Sequence, residues 1–418
     1  MAQKMIPGYA TKNDTKPTSN TLFQSIFFSR RRELYKNGPY CSLIGFGAYR
    51  IGYKDYLSYP QCEESLRHAI QEGVNIIDTS SSYSNGQSET LIGSSVKKLI
   101  HSKSIKRQDI ILMSKAGYVQ EGSLELATRK ELNNQAFKNM YKMSNEFWYC
   151  IHPDFLKDQI ERSLKRLNVE TLDVFFIHNP EVILKYYELN GFDRNTAKER
   201  FLDSLKRAFM SLEGLAENNI IKAYGVSSNT LGSTTEDFTS ISLVEIQNII
   251  KTSGLKHFKL IQVPFNWLEI SPGYCDIDNC RETTFSFANK NNIGVITNRP
   301  LNSMLDNNLI RLTQPTSIYF NKDLSQKEKQ GYDNWLKLSN DLKKIFLKET
   351  KNIPGYKDAP LSQIVLSSLA WFPGISCTLC GMRREEYVED CKNALKRPPI
   401  LEAKNHILNI YNNLEFHS

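Results

Sequence analysis

The 418-residue sequence contains no apolar run near the roughly 18 residues that a membrane span requires, which argues against a helical membrane protein and for a soluble one. It also has no block of like charge. Its 53 basic and 45 acidic residues are interleaved, so the net charge of +8 describes a mildly basic solvated surface. No clustered basic patch or nucleic-acid-binding motif is present, and nucleic acid is not an expected partner. The eight cysteines (Cys41, Cys62, Cys150, Cys275, Cys280, Cys377, Cys380 and Cys391) show no framework spacing, and a chain this long needs no staples, so reduced thiols are expected. Cys377 and Cys380 form a CxxC without a second pair. They fall in a predicted strand, where positions three apart face opposite sides, and no metal is expected. The three-glycine fingerprint that opens an open, doubly wound nucleotide-binding sheet is missing too, because Gly45-Phe46-Gly47 is too short to supply it.

What is present is a repeat. From residue 42, β-branched runs alternate eight times with segments of helical periodicity. The predicted strands are Leu43 to Gly47, Asn75 to Thr79, Asp109 to Lys115, Leu172 to His178, Ile221 to Ser227, Phe258 to Pro264, Ile293 to Asn298 and Ile375 to Gly381. The predicted helices are Cys62 to Glu72, Glu89 to Ile100, Pro153 to Leu167, Lys198 to Glu217, Leu243 to Thr252, Arg281 to Lys290, Leu361 to Trp371 and Glu385 to Leu395. Eight such units predict an α/β fold, a (β/α)8 TIM barrel over residues 41–398. Residues 1–40 read as an N-terminal arm, basic enough for a mitochondrial presequence; Pro7, Asp14 and Pro17 spoil a presequence helix and favour an arm whose Leu22 to Phe28 segment packs on the barrel. Residues 399–418 read as a C-terminal helix or tail. Cytoplasmic residence is expected, with mitochondrial as the alternative. Long insertions at 117–152 and 302–360 follow strand ends on the C-terminal face, where barrel enzymes keep their sites, and Asp341 to Lys351 reads as a surface helix.

The chain's chemistry centres on Asn75 to Tyr83, where a short apolar run delivers Asp78 to a strand end and Tyr83 follows five residues later. Lys115 and His178 close the third and fourth strands, and Ser227-Ser228-Asn229 closes the fifth. Singly, each has a plainer reading: Asp78 as a helix cap, Lys115 reaching for solvent, His178 as a hydrogen-bonded core residue. Four polar residues on one face of neighbouring strands argue together for a site. A phenol ionises near pH 10, so Tyr83 needs help to act as a general acid. A Lys115 cation about 4 Å away would supply roughly 4 kcal/mol at an effective dielectric of 20, or about three pKa units. Asp78 would hold Lys115 charged, and a neutral His178 would donate to a carbonyl oxygen. Such a quartet has no electron donor, so a cofactor must bring hydride.

Asp78 to Tyr83, Lys115 and His178 resemble the catalytic tetrad of the aldo-keto reductase family of (β/α)8 barrels. So do Gly45-Phe46-Gly47-Ala48-Tyr49-Arg50, the Ser88-Glu89 and Gly93 that follow Tyr83, Ser163-Leu164 with Arg166-Leu167, Gly225-Val226-Ser227-Ser228, Gln262, and Arg299-Pro300-Leu301. The resemblance implies an NADP(H)-dependent oxidoreductase that interconverts a small carbonyl compound and its alcohol, with Tyr83 as general acid/base. NAD(H) is the alternative cofactor, and the protein would be a monomer or small homo-oligomer. It assigns cofactor contacts to Gly47, Ala48, Tyr49, Ser227, Ser228, Gln262, Asn298, Arg299 and Gly381, with Arg383 and Arg384 for a 2′-phosphate. Asn298-Arg299 stand where the family often has an aromatic residue, and Asp390-Cys391 where it has an acidic-Asn pair. A nucleotide-sensing regulatory subunit with little turnover is the alternative function.

Overall fold

The computed structural model describes residues 5–17, 25–51, 59–233, 236–277, 281–305, 308–314, 325–350 and 353–413. Eight parallel strands close a barrel in chain order: β1 (Ile44–Gly47), β2 (Ile76–Asp78), β3 (Ile111–Ala116), β4 (Leu172–His178), β5 (Ile221–Ser227), β6 (Phe258–Pro264), β7 (Gly294–Asn298) and β8 (Cys377–Cys380). The enclosing helices are α1 (Tyr59–Gln71), α2 (Gln87–His101), α3 (Pro153–Leu167), α4 (Arg194–Glu217), α5 (Leu243–Thr252), α6 (Thr284–Lys290), α7 (Leu361–Ala370) and α8 (Glu385–Lys396). The chain is therefore the TIM barrel that the repeat predicts. Two helix starts move because of caps. Asp193 accepts from the Thr196 N–H and begins α4 four residues earlier than the periodicity suggests; Thr283 accepts from the Ser286 N–H and begins α6 three residues later. Among the described residues no helix is long and apolar enough to cross a membrane.

Strand alternation sorts the barrel into two cores. Ile76, Ile111, Met113, Val174, Phe176, Ala223, Leu260, Ile296 and Cys377 point inward, while Ile77, Leu112, Phe175, Ile177, Val226, Ile261 and Val263 meet the helices. Cys377 lies in the inner set and Cys380 in the outer one, as their spacing requires. Among the described residues the seven cysteines form no disulfide, and Cys280 lies outside them.

The amino-terminal residues form the barrel floor. An antiparallel pair, Arg31–Glu33 with Tyr40–Ser42, places Leu34 and Cys41 in the inner core together with Ala10. Beneath them the Ala10 N–H donates to Asp173 at 2.6 Å, and Asp173 also pairs with the buried Arg107 at 2.8 Å. Phe27 is buried against the outer core; Leu22 to Gln24 of its predicted segment lie outside the described residues.

Both insertions leave the carboxyl end of the barrel. The first forms Tyr118–Val119, a helix Glu121–Leu132, and strands Tyr141–Lys142 and Trp148–Tyr149 in a small antiparallel sheet. The second forms a hairpin, Asn302–Leu305 with Asn308–Arg311, and a helix over Gln326–Glu349. That helix begins well before the predicted Asp341, and it buries Leu342 and Phe346, the latter stacked on Trp267 at 5.7 Å.

Candidate active site

The alternation that fills the barrel also builds its mouth. On five strands the last inward core residue is followed two positions later by a polar one: Ile76 by Asp78, Met113 by Lys115, Phe176 by His178, Leu260 by Gln262, Ile296 by Asn298. Pairing then sets their heights, with Ser227 beside both His178 and Gln262. Asp78, Lys115, His178, Ser227, Gln262 and Asn298 therefore meet at one end of the barrel.

Lys115 is fully enclosed, and its ammonium donates to both Asp78 oxygens at 2.7 and 2.6 Å and to the Thr79 carbonyl at 2.8 Å. All three of its protons are thus engaged. Gln262 Nε2 reaches across the mouth to Asp78 at 3.0 Å, and its amide oxygen accepts from Ser227 at 2.9 Å and Asn298 at 3.3 Å. His178 packs edge-on against Tyr83 and Tyr118, with ring centroids 5.8 and 4.9 Å apart. Tyr49 lies edge-on to Tyr83 at 5.2 Å, and the Lys115 Nζ sits 5.1 Å from the Tyr83 ring centroid.

These surroundings correct one expectation. Lys115 does not bring the Tyr83 phenol toward neutrality here. Burial holds it well above its ordinary pKa, with the Asp78 charge adding to the effect, since a cation chelated by a carboxylate presents little net charge to a third group. Tyr83 consequently keeps its proton throughout the neutral range. Burial also lowers the Lys115 pKa, opposed by Asp78. His178 is held well below its usual pKa by burial and then by Lys115, so the imidazole is neutral.

The other expected contacts divide. The Ala48 N–H donates to the Asp78 carbonyl at 2.9 Å, which carries the chain from Gly47 toward the exposed Tyr49. The Ser228 hydroxyl turns back to accept from the Thr230 and Leu231 N–H groups, and Arg299 pairs with Glu269 at 2.7 Å. Gly381 is exposed, with open space where a side chain would stand. Arg383 and Arg384 flank the start of α8 together with Arg50, and no carboxylate pairs with these three among the described residues. Burial lowers the Arg383 pKa, and Arg50 and Arg384 add repulsion. Asn298 Oδ1 and Arg384 Nε are both buried without a partner. The unpartnered polar atoms and the open space at Gly381 therefore fit a phosphate-bearing dinucleotide with an amide-bearing ring. A cluster of His68, Glu72 and Glu389 brings donor atoms within 4.8 Å of one another, but Lys392 already bonds both carboxylates at 2.6 and 3.3 Å.

Sequence reading missed Ser80, Tyr118 and Glu181. Ser80 bonds His178, and Tyr118 takes a hydrogen bond from Asn179 Nδ2 at 2.7 Å beside that ring. Glu181 is buried and accepts from the Asn229 N–H at 2.8 Å. The Ser80-Ser81-Ser82 run and the His178-Asn179-Pro180-Glu181 sequence were the available signals, but neither reveals a partner in space.

The sequence model of the aldo/keto reductase family matches residues 43–409. Curated relatives include an NADPH-dependent D-xylose reductase of Candida boidinii, 27% identical over 207 residues, or 48% of this chain and 52% of the relative. An NADH-specific methylglyoxal reductase of Escherichia coli is 28% identical over 143 residues, 33% of this chain and 38% of that one. The chain thus spans about half, or less, of the length of these relatives. Among solved structures, the holo aldo-keto reductase AKR11C1 of Bacillus halodurans superimposes with a TM-score of 0.56 at 18% identity, covering 93% of this chain and 99% of the other. The glycerol dehydrogenase AKR11B4 of Gluconobacter oxydans gives 0.55 at 18% identity, covering 89% and 91%. Both likenesses concern the fold.

Proposed function

Since the chain belongs to the aldo/keto reductase family, we propose that it moves hydride between a nicotinamide dinucleotide, with NADP(H) preferred, and a small carbonyl compound or the corresponding alcohol. The observation that carries this reading is the convergence of a protonated Tyr83 and a neutral His178 beside a buried Lys115–Asp78 pair. When bound, the dinucleotide supplies the hydride that no side chain can. Ser227, Gln262 and Asn298 would hold its carboxamide, and Gly47, Ala48 and Tyr49 would border it. His178 orients the carbonyl by donating a hydrogen bond, and Tyr83 passes its proton to the oxygen as negative charge develops there. The Asp78–Lys115 pair keeps the floor of the site rigid and nearly neutral. A Tyr83 proton that stays in place at neutral pH suits the direction of carbonyl reduction. Relatives divided between NADPH and NADH do not settle the cofactor, so the preference rests on the unpaired cluster of Arg50, Arg383 and Arg384, since paired guanidiniums suit a phosphate.

Two variants test the proposal. Tyr83→Phe keeps the ring and removes the proton, and carbonyl reduction should fall at least about 10²-fold while nucleotide affinity barely changes. Undiminished turnover would remove Tyr83 from the mechanism. Replacing Arg383 and Arg384 together with Ala should weaken NADPH binding, measured by titration, far more than NADH binding. An equal loss for both would make the arginines general surface charge.

A further inference from the structure

The mechanism above needs a proton on a particular nitrogen of His178. Because the ring is neutral it carries one proton, and the nitrogen that holds it decides whether the face toward Tyr83 donates or accepts a hydrogen bond. We infer that Ser80 is a positioning residue that holds His178 as the tautomer protonated at Nε2, the one able to donate to a substrate oxygen. The inference rests on the reductase reading for its purpose, though not for its geometry.

Ser80 is fully buried, and its hydroxyl has four neighbours: Ser82 Oγ at 3.0 Å, His178 Nδ1 at 3.1 Å, the Lys115 carbonyl at 3.2 Å and the Ser82 N–H at 3.4 Å. A hydroxyl has one proton and two lone pairs. The two Ser82 groups can donate to the lone pairs. The Lys115 carbonyl already accepts from the Ser81 N–H at 3.0 Å. The acceptor still in need is Nδ1, for which no other described residue supplies a partner, and a buried nitrogen left unbonded is costly. With the Ser80 proton directed there, the ring proton lies at Nε2. The opposite tautomer would make Ser80 accept from Nδ1–H and turn its own proton to the Ser82 hydroxyl or the Lys115 carbonyl, both weaker acceptors than an imidazole nitrogen. It would also aim a bare lone pair at the oxygen being reduced.

The test is nitrogen NMR on the protein labelled with 15N-histidine at neutral pH, with the His178 signals assigned by their loss in His178→Gln. The expected wild-type spectrum has a protonated, pyrrole-type Nε2 and a bare, pyridine-type Nδ1. In Ser80→Ala both nitrogens should move toward an averaged position, and Ser80→Thr, which keeps the hydroxyl, should restore the wild-type pattern. Reduction by Ser80→Ala should fall about tenfold in kcat with nucleotide affinity unchanged, the effect of one lost hydrogen bond. A wild-type spectrum with the proton on Nδ1, or one that Ser80→Ala leaves unmoved, would overturn the inference. A wild-type protein with the expected spectrum that reduces no carbonyl with either nucleotide would leave the tautomer assignment standing and bring down the reductase reading alone. Should Ser80→Ala fail to fold, the wild-type spectrum and the Ser80→Thr variant still decide.

Discussion

Glu181 shows how one buried side chain can tie the site to the stability of the whole. Burial pushes its pKa up to about 7, only partly offset by the hydrogen bond from the Asn229 N–H, and its Oε2 has no partner. The folded protein therefore keeps a proton there that the unfolded chain releases above about pH 4.5. By linkage, stability falls as pH rises from near 4.5 through about 7, with a total of up to about 3 kcal/mol from this group. Glu181→Gln keeps an acceptor for the Asn229 N–H and abolishes the titration. Urea unfolding between pH 5 and pH 8 should show the variant gaining on the wild type as pH rises; a difference independent of pH would mean that Glu181 stays ionised when buried. The same reasoning about local charge governs Tyr83, whose proton is held by burial and by the charge of Asp78.

Packing between α2 and α3 depends on the absence of a side chain. At Gly93 a Cβ would lie 2.4 Å from the Arg166 carbonyl oxygen, a backbone atom that cannot rotate away. Nearby, the fully buried Glu89 bonds Ser114 on β3 at 2.5 Å and Arg166 on α3 at 2.6 Å, so one carboxylate joins both helices to the strand that carries Lys115. Glu89 and Gly93, noted in the sequence after Tyr83, and Arg166, noted with Ser163, thus act through packing. Gly93→Ala should cost about 1–3 kcal/mol by overpacking, although Ala is the better helix former by about 1 kcal/mol. Chemical denaturation measures it, and a neutral or stabilised variant would show that the two helices have slack.

At the scale of the molecule, the barrel is closed below by its own amino-terminal residues. Asp173 gathers that closure: one oxygen takes the Ala10 N–H, while the other takes Arg107 and the Leu112 N–H at 2.7 Å. Asp173→Ala should leave Arg107 as an uncompensated buried charge and cost about 3–5 kcal/mol. It should also release the segment around Ala10, making cleavage before residue 30 faster in limited proteolysis. A stability loss under about 1 kcal/mol with unchanged cleavage would show that the floor is held by its apolar contacts alone.

The sequence by itself determined the barrel and the membership of its mouth, because both follow from local regularities. Period-two alternation fixes which strand residues point inward, so Asp78, Lys115 and His178 could be found from the apolar runs that precede them, and β-branched runs separated by amphipathic helices fixed the eight units. The tertiary structure alone decided what those residues do to one another. That Lys115 gives all three protons to Asp78 and Thr79, that Gln262 reaches Asp78 across the mouth, and that Ser80 meets His178 are relations between segments 36, 184 and 98 residues apart. Spacing in the chain is silent about such distances. The direction of the Tyr83 shift belongs to the same class, since burial and the nearness of the Asp78 charge are properties of a volume in space and not of a stretch of sequence.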